Sequence, residues 1–278
     1  TDGFQEYQFL SNNGDIRLIS KLNTVNSTIA VRSETFLGQR KDSTPVQGVT
    51  PIVGSSSVAS TFKADQKISF NKVLEGVGTI EIAPYTSGRS IGVESASDLT
   101  LKGLDKLSSS FTSVTVGDSN VNGIVSTSSI LSNSNLLFNS GTAGLEFSET
   151  LTSINKNVTF EVASNSSVAT LSLGSGSVVK LGSGTLTLAG ANTYTGQTQI
   201  DVGTLSVSGS LSDSTAVNVG SSGTYALSAD DTVGSIQGSG AINLGRSELT
   251  TGGLNTNTTY SGVMSGTGGT RKLGSGTL

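Results

Sequence analysis

The sequence contains no cysteine, no histidine and no tryptophan. The absence of cysteine excludes disulfides and thiolate metal sites, and it is consistent with a chain that crosses membranes unfolded during export. The absence of histidine removes the commonest general base and the commonest metal ligand. An enzyme is still possible, because carboxylates alone can hydrolyse glycosides.

Large apolar side chains are also scarce. Hydrophobic residues make up 34% of the chain and aromatic residues 5%, beside 36 glycines and only 3 prolines. Such a chain cannot build a thick core rich in aromatic rings. Disorder fits poorly as well, because the net charge is only −4 and Val, Ile and Thr recur in short alternating runs. We therefore expect an ordered fold with a thin, repetitive core.

Charge and hydropathy narrow the function further. The sequence pI near 4.9 argues against a nucleic-acid partner, which needs a basic surface. Of 16 Lys and Arg, 11 lie at or before Lys106, and we interpret them as solvated positions. No apolar stretch approaches the roughly 18 residues that cross a bilayer as a helix. The first residues lack the basic and apolar regions of a signal peptide, so we expect any export signal to lie outside this sequence.

Alternation of apolar and polar residues predicts many short β-strands, and no long segment has apolar residues at helical spacing. Gly, Asn, Asp or Ser separates most of the strands, as turns require. Each strand should bury one face and leave the other in water. The predicted inward residues are Ile80 and Ile82, Val114 and Val116, Val158, Phe160 and Val162, Leu171 and Leu173, Leu186 and Leu188, Ile200 and Val202, Leu205 and Val207, Val217 and Val219, Tyr225 and Leu227, and Ile242 and Leu244.

Two architectures assemble many short strands: a sandwich or barrel, and a solenoid. A sandwich favours longer strands and bulky anchors, whereas this chain lacks tryptophan and any cysteine pair. A solenoid needs only a few inward residues per strand, stacked on the next coil. We predict an all-β solenoid over residues 66–278. Residues 1–65 should form a loop-rich or atypical β segment, with an exposed loop from Arg40 to Pro45.

An internal repeat supports the solenoid. Residues 180–186, Lys-Leu-Gly-Ser-Gly-Thr-Leu, recur unchanged at residues 272–278, an offset of 92 (272 − 180). The offset predicts that one type of coil returns after several coils. The sequence stops where the first copy is still in mid-strand, so we expect the solenoid to continue beyond Leu278.

Residues 180–209 resemble the passenger-associated repeat of bacterial autotransporters, because they contain Gly-Ser-Gly-Thr-Leu-Thr-Leu, then Asn-Thr-Tyr-Thr-Gly, then a strand ending in Gly-Thr-Leu. An imperfect second copy begins at Thr259. Three segments within residues 78–118 (Gly-Thr-Ile-Glu-Ile-Ala-Pro, Arg-Ser-Ile-Gly and Phe-Thr-Ser-Val-Thr-Val-Gly-Asp) are similar to the repeat of filamentous-haemagglutinin-type exoproteins. The resemblance implies a right-handed parallel β-helix, export across a Gram-negative outer membrane with an outer-membrane translocator, and service as a rod on the cell surface.

The best carboxylate pairs are Asp230 with Asp231 and Glu146 with Glu149. β-Helical enzymes of the pectate-lyase and phage-tailspike kind use acidic residues on the flank of the helix, and paired carboxylates can act in acid–base or nucleophilic chemistry. Adjacent residues such as Asp230 and Asp231, however, point to opposite faces of a strand or lie in a turn. We predict no catalytic, cofactor or metal site, and acids that are scattered singly and solvated.

Three further patterns have structural explanations. The Gly182-Ser183-Gly184 segment lacks the context of a phosphate-binding loop and predicts a corner. Calcium-binding nonapeptides need Gly-Gly-x-Gly-x-Asp, and residues 268–271, Gly-Gly-Thr-Arg, break this pattern at the third glycine. Thr185 and Thr187 alternate as on an ice-binding face, but their spacing does not repeat from coil to coil over the chain.

Three functions fit a β-helix: a structural stalk or adhesin segment, a polysaccharide-degrading enzyme, and a cytotoxin or protease passenger. The repeats and the missing histidine favour the first. No inserted segment with a Gly-Asp-Ser-Gly-like nucleophile motif supports a protease. We therefore predict a secreted or cell-surface chain that is not an enzyme and needs no cofactor. Its predicted partners are a receptor or glycan on a host or neighbouring cell and an outer-membrane translocator.

Overall fold

The computed structural model of the chain describes residues 15–17, 52–53, 60–63, 67–70, 75–76, 78–84 and 86–278. This part of the chain is all-β, with one short 3-10 helix. The first strands are β1 (Asp15–Arg17), β2 (Ile52–Val53), β3 (Ser60–Lys63), β4 (Lys67–Ser69), β5 (Glu75–Gly76), β6 (Thr79–Ala83), β7 (Ile91–Val93) and β8 (Leu99–Lys102), followed by the 3-10 helix Leu104–Lys106.

The remaining strands follow one another at short intervals. The middle group is β9 (Ser113–Val116), β10 (Ile124–Ser126), β11 (Ile130–Leu131), β12 (Leu136–Asn139), β13 (Leu145–Thr152), β14 (Val158–Glu161), β15 (Ser166–Ser172), β16 (Val178–Leu181), β17 (Thr185–Leu188) and β18 (Thr198–Val207). The last group is β19 (Ala216–Leu227), β20 (Asp231–Val233), β21 (Ser235–Gly238), β22 (Ala241–Asn243), β23 (Leu249–Thr251), β24 (Val263–Ser265) and β25 (Thr270–Lys272). No helix among the described residues is long and apolar enough to cross a membrane.

Every pairing between these strands is parallel. Face A stacks β3, β6, β9, β12, β14, β16, the first parts of β18 and β19, and β21. Face B stacks β7, β10, the first parts of β13 and β15, β17, the second parts of β18 and β19, β22 and β24. The predicted parallel β-helix is thus confirmed.

Face C completes each coil. It stacks β11 on the second parts of β13 and β15, and later β20 on β23 and β25. Between these two sets of strands, face C contains Asn192 and Leu211. The backbone N–H of Leu171 donates to the Asn192 side chain, and the backbone N–H of Leu211 donates to the Asp231 side chain. The stack makes a solenoid of about 8 turns.

The coils differ in length. On face A, Leu136 pairs with Val158, Val158 with Val178 and Val178 with Thr198, which gives 22 (158 − 136), 20 (178 − 158) and 20 (198 − 178) residues per coil. The coil that begins at Ile80 is longer, because it also contains β8 and the 3-10 helix. Because the coils differ in length, the sequence has no fixed period, although the strands of successive coils stay paired in register.

The interior is a single column of side chains taken from alternate positions of every strand. All the predicted inward residues are buried except Val202, which is 38% exposed. The prediction is wrong at Val202 because the register shifts between Ile200 and Val202, where β18 bends from face A to face B. Phe138 and Phe160 stack with ring centroids 5.8 Å apart, so the column continues unbroken between coils.

Close contact between coils makes glycine necessary at some corners. A Cβ on Gly196 would lie 2.2 Å from the carbonyl oxygen of Gly176, and one on Gly176 would lie 2.0 Å from that of Lys156. Real Cβ atoms do not approach a backbone oxygen so closely, so a side chain would push the coils apart. Part of the high glycine content therefore follows from the spacing of the stack.

The two identical heptapeptides lie at different corners of the solenoid. Lys180 is on face A and leads into the corner from A to B. Lys272 is on face C, and Ser275, which follows it, bonds to Asn255 at the corner from C to A. The prediction that one type of coil returns after 92 residues is therefore wrong. The heptapeptide is a local corner unit that serves at either position.

Most of the predicted N-terminal segment, residues 1–65, lies outside the described residues, and so does the predicted loop from Arg40 to Pro45. The parts that are described are β1, β2 and β3, which pair in parallel with β4, β5 and β6. The division of the chain at residue 65 stays a prediction.

Replacing Leu186 with Asp should destabilise the solenoid strongly. Leu186 is fully buried between Ser166 and Leu205, so the new carboxylate would lie in the column without a partner, at a cost of about 3 to 5 kcal/mol. The control is Thr187→Asp, on the outward side of the same strand, where we expect a change within about 0.5 kcal/mol. Urea unfolding followed by circular dichroism measures both, and equal effects would contradict the inward assignment.

A glycine pair tests the spacing between coils. Gly196→Ala should lower the free energy of unfolding by about 1 to 3 kcal/mol, because its Cβ meets a backbone oxygen that cannot move freely. Gly269→Ala is the matched control, since nothing lies within 4 Å of its Cβ position. Thermal unfolding of the two variants and of the wild type measures both effects on stability. If the two alanines have the same effect, close packing does not explain the glycine at the corner.

Candidate functional site

The candidate site is a group of buried polar side chains in the later coils, which we call the Asp231 cluster. It consists of Asp231, Tyr225, Tyr194, Thr198 and Thr215, and all five are buried. They come from the interior sides of faces A, B and C and from the corners between them. The cluster is the only place among the described residues where a carboxylate is buried.

Asp231 lies in β20 and is 3% exposed. Its Oδ2 accepts a hydrogen bond of 2.5 Å from the Tyr225 hydroxyl. Its Oδ1 accepts from the backbone N–H of Leu211 at 3.0 Å and of Thr232 at 3.1 Å. Burial raises the pKa of Asp231, and the negative charge of nearby Asp213 raises this pKa further. The prediction that every acid is solvated is therefore wrong at Asp231, since an inward position on face C carries it into the column.

The hydroxyl groups of Tyr194 and Tyr225 both have hydrogen-bond partners inside the protein. Tyr194 shares a hydrogen bond of 2.7 Å with the Thr198 hydroxyl, and Thr215 donates to the backbone oxygens of Tyr194 and Gly196. Burial raises the pKa of Tyr194 and of Tyr225, and the charge of Asp231 adds to both effects. These groups bond to one another and to the backbone, so they stabilise the coils and present nothing to a substrate.

Asp230 and Asp231 do not form a paired site. Asp230 is exposed and accepts a hydrogen bond from the Glu248 backbone N–H, whereas Asp231 points inward. The expectation that these neighbours point to opposite sides is confirmed. Glu146 and Glu149 both lie on β13 and are exposed, and the buried Phe147 lies between them in the strand.

Lys180 is an interior residue that the sequence analysis missed. It is fully buried in β16 and occupies the column position between Phe160 and Ile200. Its ammonium group donates to the carbonyl oxygens of Leu181 (2.8 Å), Gly182 (2.7 Å) and Val202 (3.1 Å). Burial lowers the pKa of Lys180 to about 8. The alternation after Val178 was the available signal, since it places Lys180 on the inward side.

The Gly182-Ser183-Gly184 segment forms a corner, as predicted. Gly182 has a φ of 76°, in the left-handed region, and its carbonyl oxygen faces the Lys180 ammonium group. Phosphate-binding loops hold the anion with backbone N–H groups, whereas this corner directs carbonyl oxygens at the Lys180 ammonium group. Lys272 makes the same kind of contact, donating to the carbonyl oxygens of Leu273 and Gly274.

Asparagine side chains link coils at the corner from C to A, a feature the sequence analysis also missed. The Asn155 and Asn157 side-chain oxygens accept from the backbone N–H groups of Ser175 and Ser177, at 3.1 and 2.9 Å. The same arrangement recurs one hundred residues later (255 − 155), where the Asn255 and Asn257 oxygens accept from Ser275 and Thr277 at 2.9 and 3.0 Å. The paired Asn-x-Asn motifs were the signal that would have identified it.

The threonines on face B stack over more coils than the sequence spacing indicated. Thr185 pairs with Thr204, and Thr204 pairs with Thr224. The intervals are 19 (204 − 185) and 20 (224 − 204) residues, so no fixed period marks the row. The next position is Ala241, which ends it.

No group of three or more His, Cys, Asp or Glu side chains that would hold a metal ion occurs in the part of the chain that the structure describes. The segment Gly268-Gly269-Thr270-Arg271 leads into β25 on face C. The predicted absence of a calcium site stays a prediction.

One family model matches the chain. Residues 178–207, which span β16, β17 and β18, match the Passenger-associated-transport-repeat. No curated protein and no solved structure matches the chain. The repeat and the stacked coils together fit an autotransporter-passenger-like protein. This family is named for the transport of passengers and not for a catalytic activity, and it implies secretion and association with an outer-membrane translocator.

Lys180 should make stability depend on pH in the alkaline range. Its pKa is about 8 in the folded chain against an ordinary value of 10.5, so the unfolded chain binds more protons between these pH values. The free energy of unfolding therefore rises as the pH increases through this window, by about 1.4 kcal/mol for each unit of pKa difference. Lys180→Met should remove this rise.

The measurement is urea unfolding at about pH 7 and about pH 9, where the tyrosines of the unfolded chain, with an ordinary pKa of about 10, are still mostly protonated. Lys272→Met is the matched control, because Lys272 is followed by the same six residues but is exposed. It should keep the wild-type pH dependence. An unchanged rise in Lys180→Met would show that the buried ammonium group does not cause it.

Proposed function

We propose that the chain is a structural stalk or adhesin segment of a large secreted bacterial surface protein, and that it mediates attachment or display. The observation that carries the proposal is the uninterrupted stack of coils that contains the passenger-associated repeat at residues 178–207. A stack of this kind extends along one axis, and each coil contacts only its neighbours. It can therefore hold another part of the protein at a distance from the membrane.

The contacts between coils support secretion in an unfolded state. Inward side chains, corner glycines and asparagine bonds all join a coil to the next one, so folding can propagate from coil to coil outside the cell. No cysteine is present to form a wrong disulfide on the way. We propose that an outer-membrane translocator delivers the chain and that the folded rod remains on the cell surface or is released.

The outward faces are suited to a polar partner. Face B presents the threonine row that includes Thr185 and Thr204, and face A presents amides, among which the Asn218 side chain donates to that of Gln199 at 2.8 Å. Short neutral side chains in rows offer hydrogen bonds without a strong charge. We propose a receptor or glycan on a host or neighbouring cell as the attachment partner.

A polysaccharide-degrading enzyme is the alternative function. Glycoside hydrolysis needs two accessible carboxyl groups about 5 to 10 Å apart. Asp231 is buried and engaged by three donors, and Asp230 faces the other side of the strand. This arrangement favours the stalk or adhesin.

Surface display tests the proposal. The full chain with an N-terminal epitope is placed ahead of an autotransporter translocator in a Gram-negative cell. We expect antibody to bind the epitope on intact cells, and we expect added protease to leave the coils uncut, because a stacked β-helix exposes few cleavable segments. Retention inside the cell, or rapid digestion at the surface, would contradict the proposal.

The purified chain separates the stalk or adhesin from the enzyme. We expect no cleavage of polysaccharides or peptides, measured as released reducing ends and as new peptide fragments. Cleavage that disappears in Asp230→Asn or Asp231→Asn would overturn the proposal in favour of the enzyme. Because these variants change one atom group each, unfolding curves confirm that any loss of cleavage is not a loss of fold.

A further inference from the structure

The Asp231 carboxyl group is in an unusual position for an acid. Among the side chains that the structure describes, it is the only carboxylate in the buried interior. It connects two faces, because it lies on face C while its partner Tyr225 comes from face B. It also connects two coils, because it accepts the backbone N–H of Leu211 from the coil before.

No cation balances this carboxyl group. Its three partners are the Tyr225 hydroxyl and the backbone N–H groups of Leu211 and Thr232. No Lys or Arg lies within salt-bridge distance of it among the described residues. A buried carboxylate held only by neutral donors costs free energy that a protonated carboxyl group does not.

The titratable groups around Asp231 are all neutral or acidic. Tyr225 and Tyr194 face it from β19 and from the corner before β18. Asp213 lies in the loop between β18 and β19, and its negative charge raises the pKa of Asp231. Asp230 precedes it in its own corner, and Glu248 lies beside it in the next coil, where the Glu248 carbonyl accepts the Asp231 N–H. Every neighbouring charge therefore opposes the ionised form.

We propose that Asp231 is an acid-strengthened contact that makes the coils around it hold more firmly in an acidic medium than in a neutral one. The carboxyl group takes a proton from solvent when the coil opens and closes again in its neutral form. Oδ1 then keeps the two backbone N–H donors, while the protonated Oδ2 donates to the Tyr225 hydroxyl oxygen, so that this hydrogen bond reverses its direction and the tyrosine proton turns away from it. The group loses its charge and keeps all three partners.

The direction of the effect follows from linkage. Burial raises the pKa of Asp231 above its ordinary value of 3.8, so the folded chain binds more protons than the unfolded chain between the two pKa values. Stability therefore increases as the pH falls through the folded pKa, and the gain is complete below 3.8. Asp98 behaves in the opposite way, because the backbone N–H of Ser90 lowers its pKa. Its contribution is lost only at more acidic pH.

Amide hydrogen exchange of the full chain tests the proposal. Protection factors of the Leu211 and Thr232 amides, corrected for the intrinsic effect of pH, are compared at about pH 7 and about pH 4. We expect protection to increase on acidification, by about tenfold for each pH unit over which the folded carboxyl group holds its proton and the unfolded one does not. Unchanged or decreased protection would overturn the proposal.

Variants identify the responsible group. Asp231→Asn keeps the shape and carries no charge, so the increase in protection on acidification should disappear. Asp230→Asn, the exposed neighbour, should keep the wild-type increase. If Asp231→Asn retains the full increase, the proposal is wrong.

If Asp231→Asn does not fold, the proposal is tested on the wild-type chain. Carboxyl carbon NMR of the chain labelled at aspartate follows the Asp231 titration directly. A midpoint above 3.8, the ordinary value, supports the proposal, and a midpoint at or below it overturns the proposal. Neither result depends on whether the chain is a stalk, an adhesin or an enzyme.

Discussion

The close stacking of each coil on the one before it is the constraint on which the rest of the structure depends. Parallel strands about 4.8 Å apart leave room inside for one column of side chains and leave almost none between the corner backbones. A Cβ at Gly196 would collide with the coil below, and the Asn155 side chain reaches the next backbone directly. Composition, corner chemistry and shape follow from this spacing.

Alternation in the sequence predicted the fold and nearly all of the interior, because a strand with one buried face must bury every second residue. It failed at Val202, where a register shift turns the strand just before Gly203, a glycine in the left-handed region with a φ of 74°. It also overlooked Lys180 and Asp231, since inward charged residues contradict the usual rule of burial. One partner of each comes from a neighbouring coil, Val202 for Lys180 and Leu211 for Asp231, so only the stack reveals how each is fully satisfied.

The identical heptapeptides show what this sequence repeat specifies in the structure. Lys180 and Lys272 each donate to the two carbonyl oxygens that follow them in sequence, although they lie on different faces. The repeat therefore encodes a corner and not a position in the coil. A chain built from such corners can vary in coil length and still stack.

Disulfide formation between neighbouring coils tests the stacked register most directly, because the chain has no cysteine of its own. Thr187 pairs with Ser206, and Ser206 with Ala226. Cysteines at Thr187 and Ser206 should lie about 5 Å apart and oxidise readily in the folded chain, whereas cysteines at Thr187 and Ala226, roughly 10 Å apart, should not. Gel mobility and peptide mapping detect the bridge. Failure of the first pair, or equal bridging by both, would contradict the parallel solenoid.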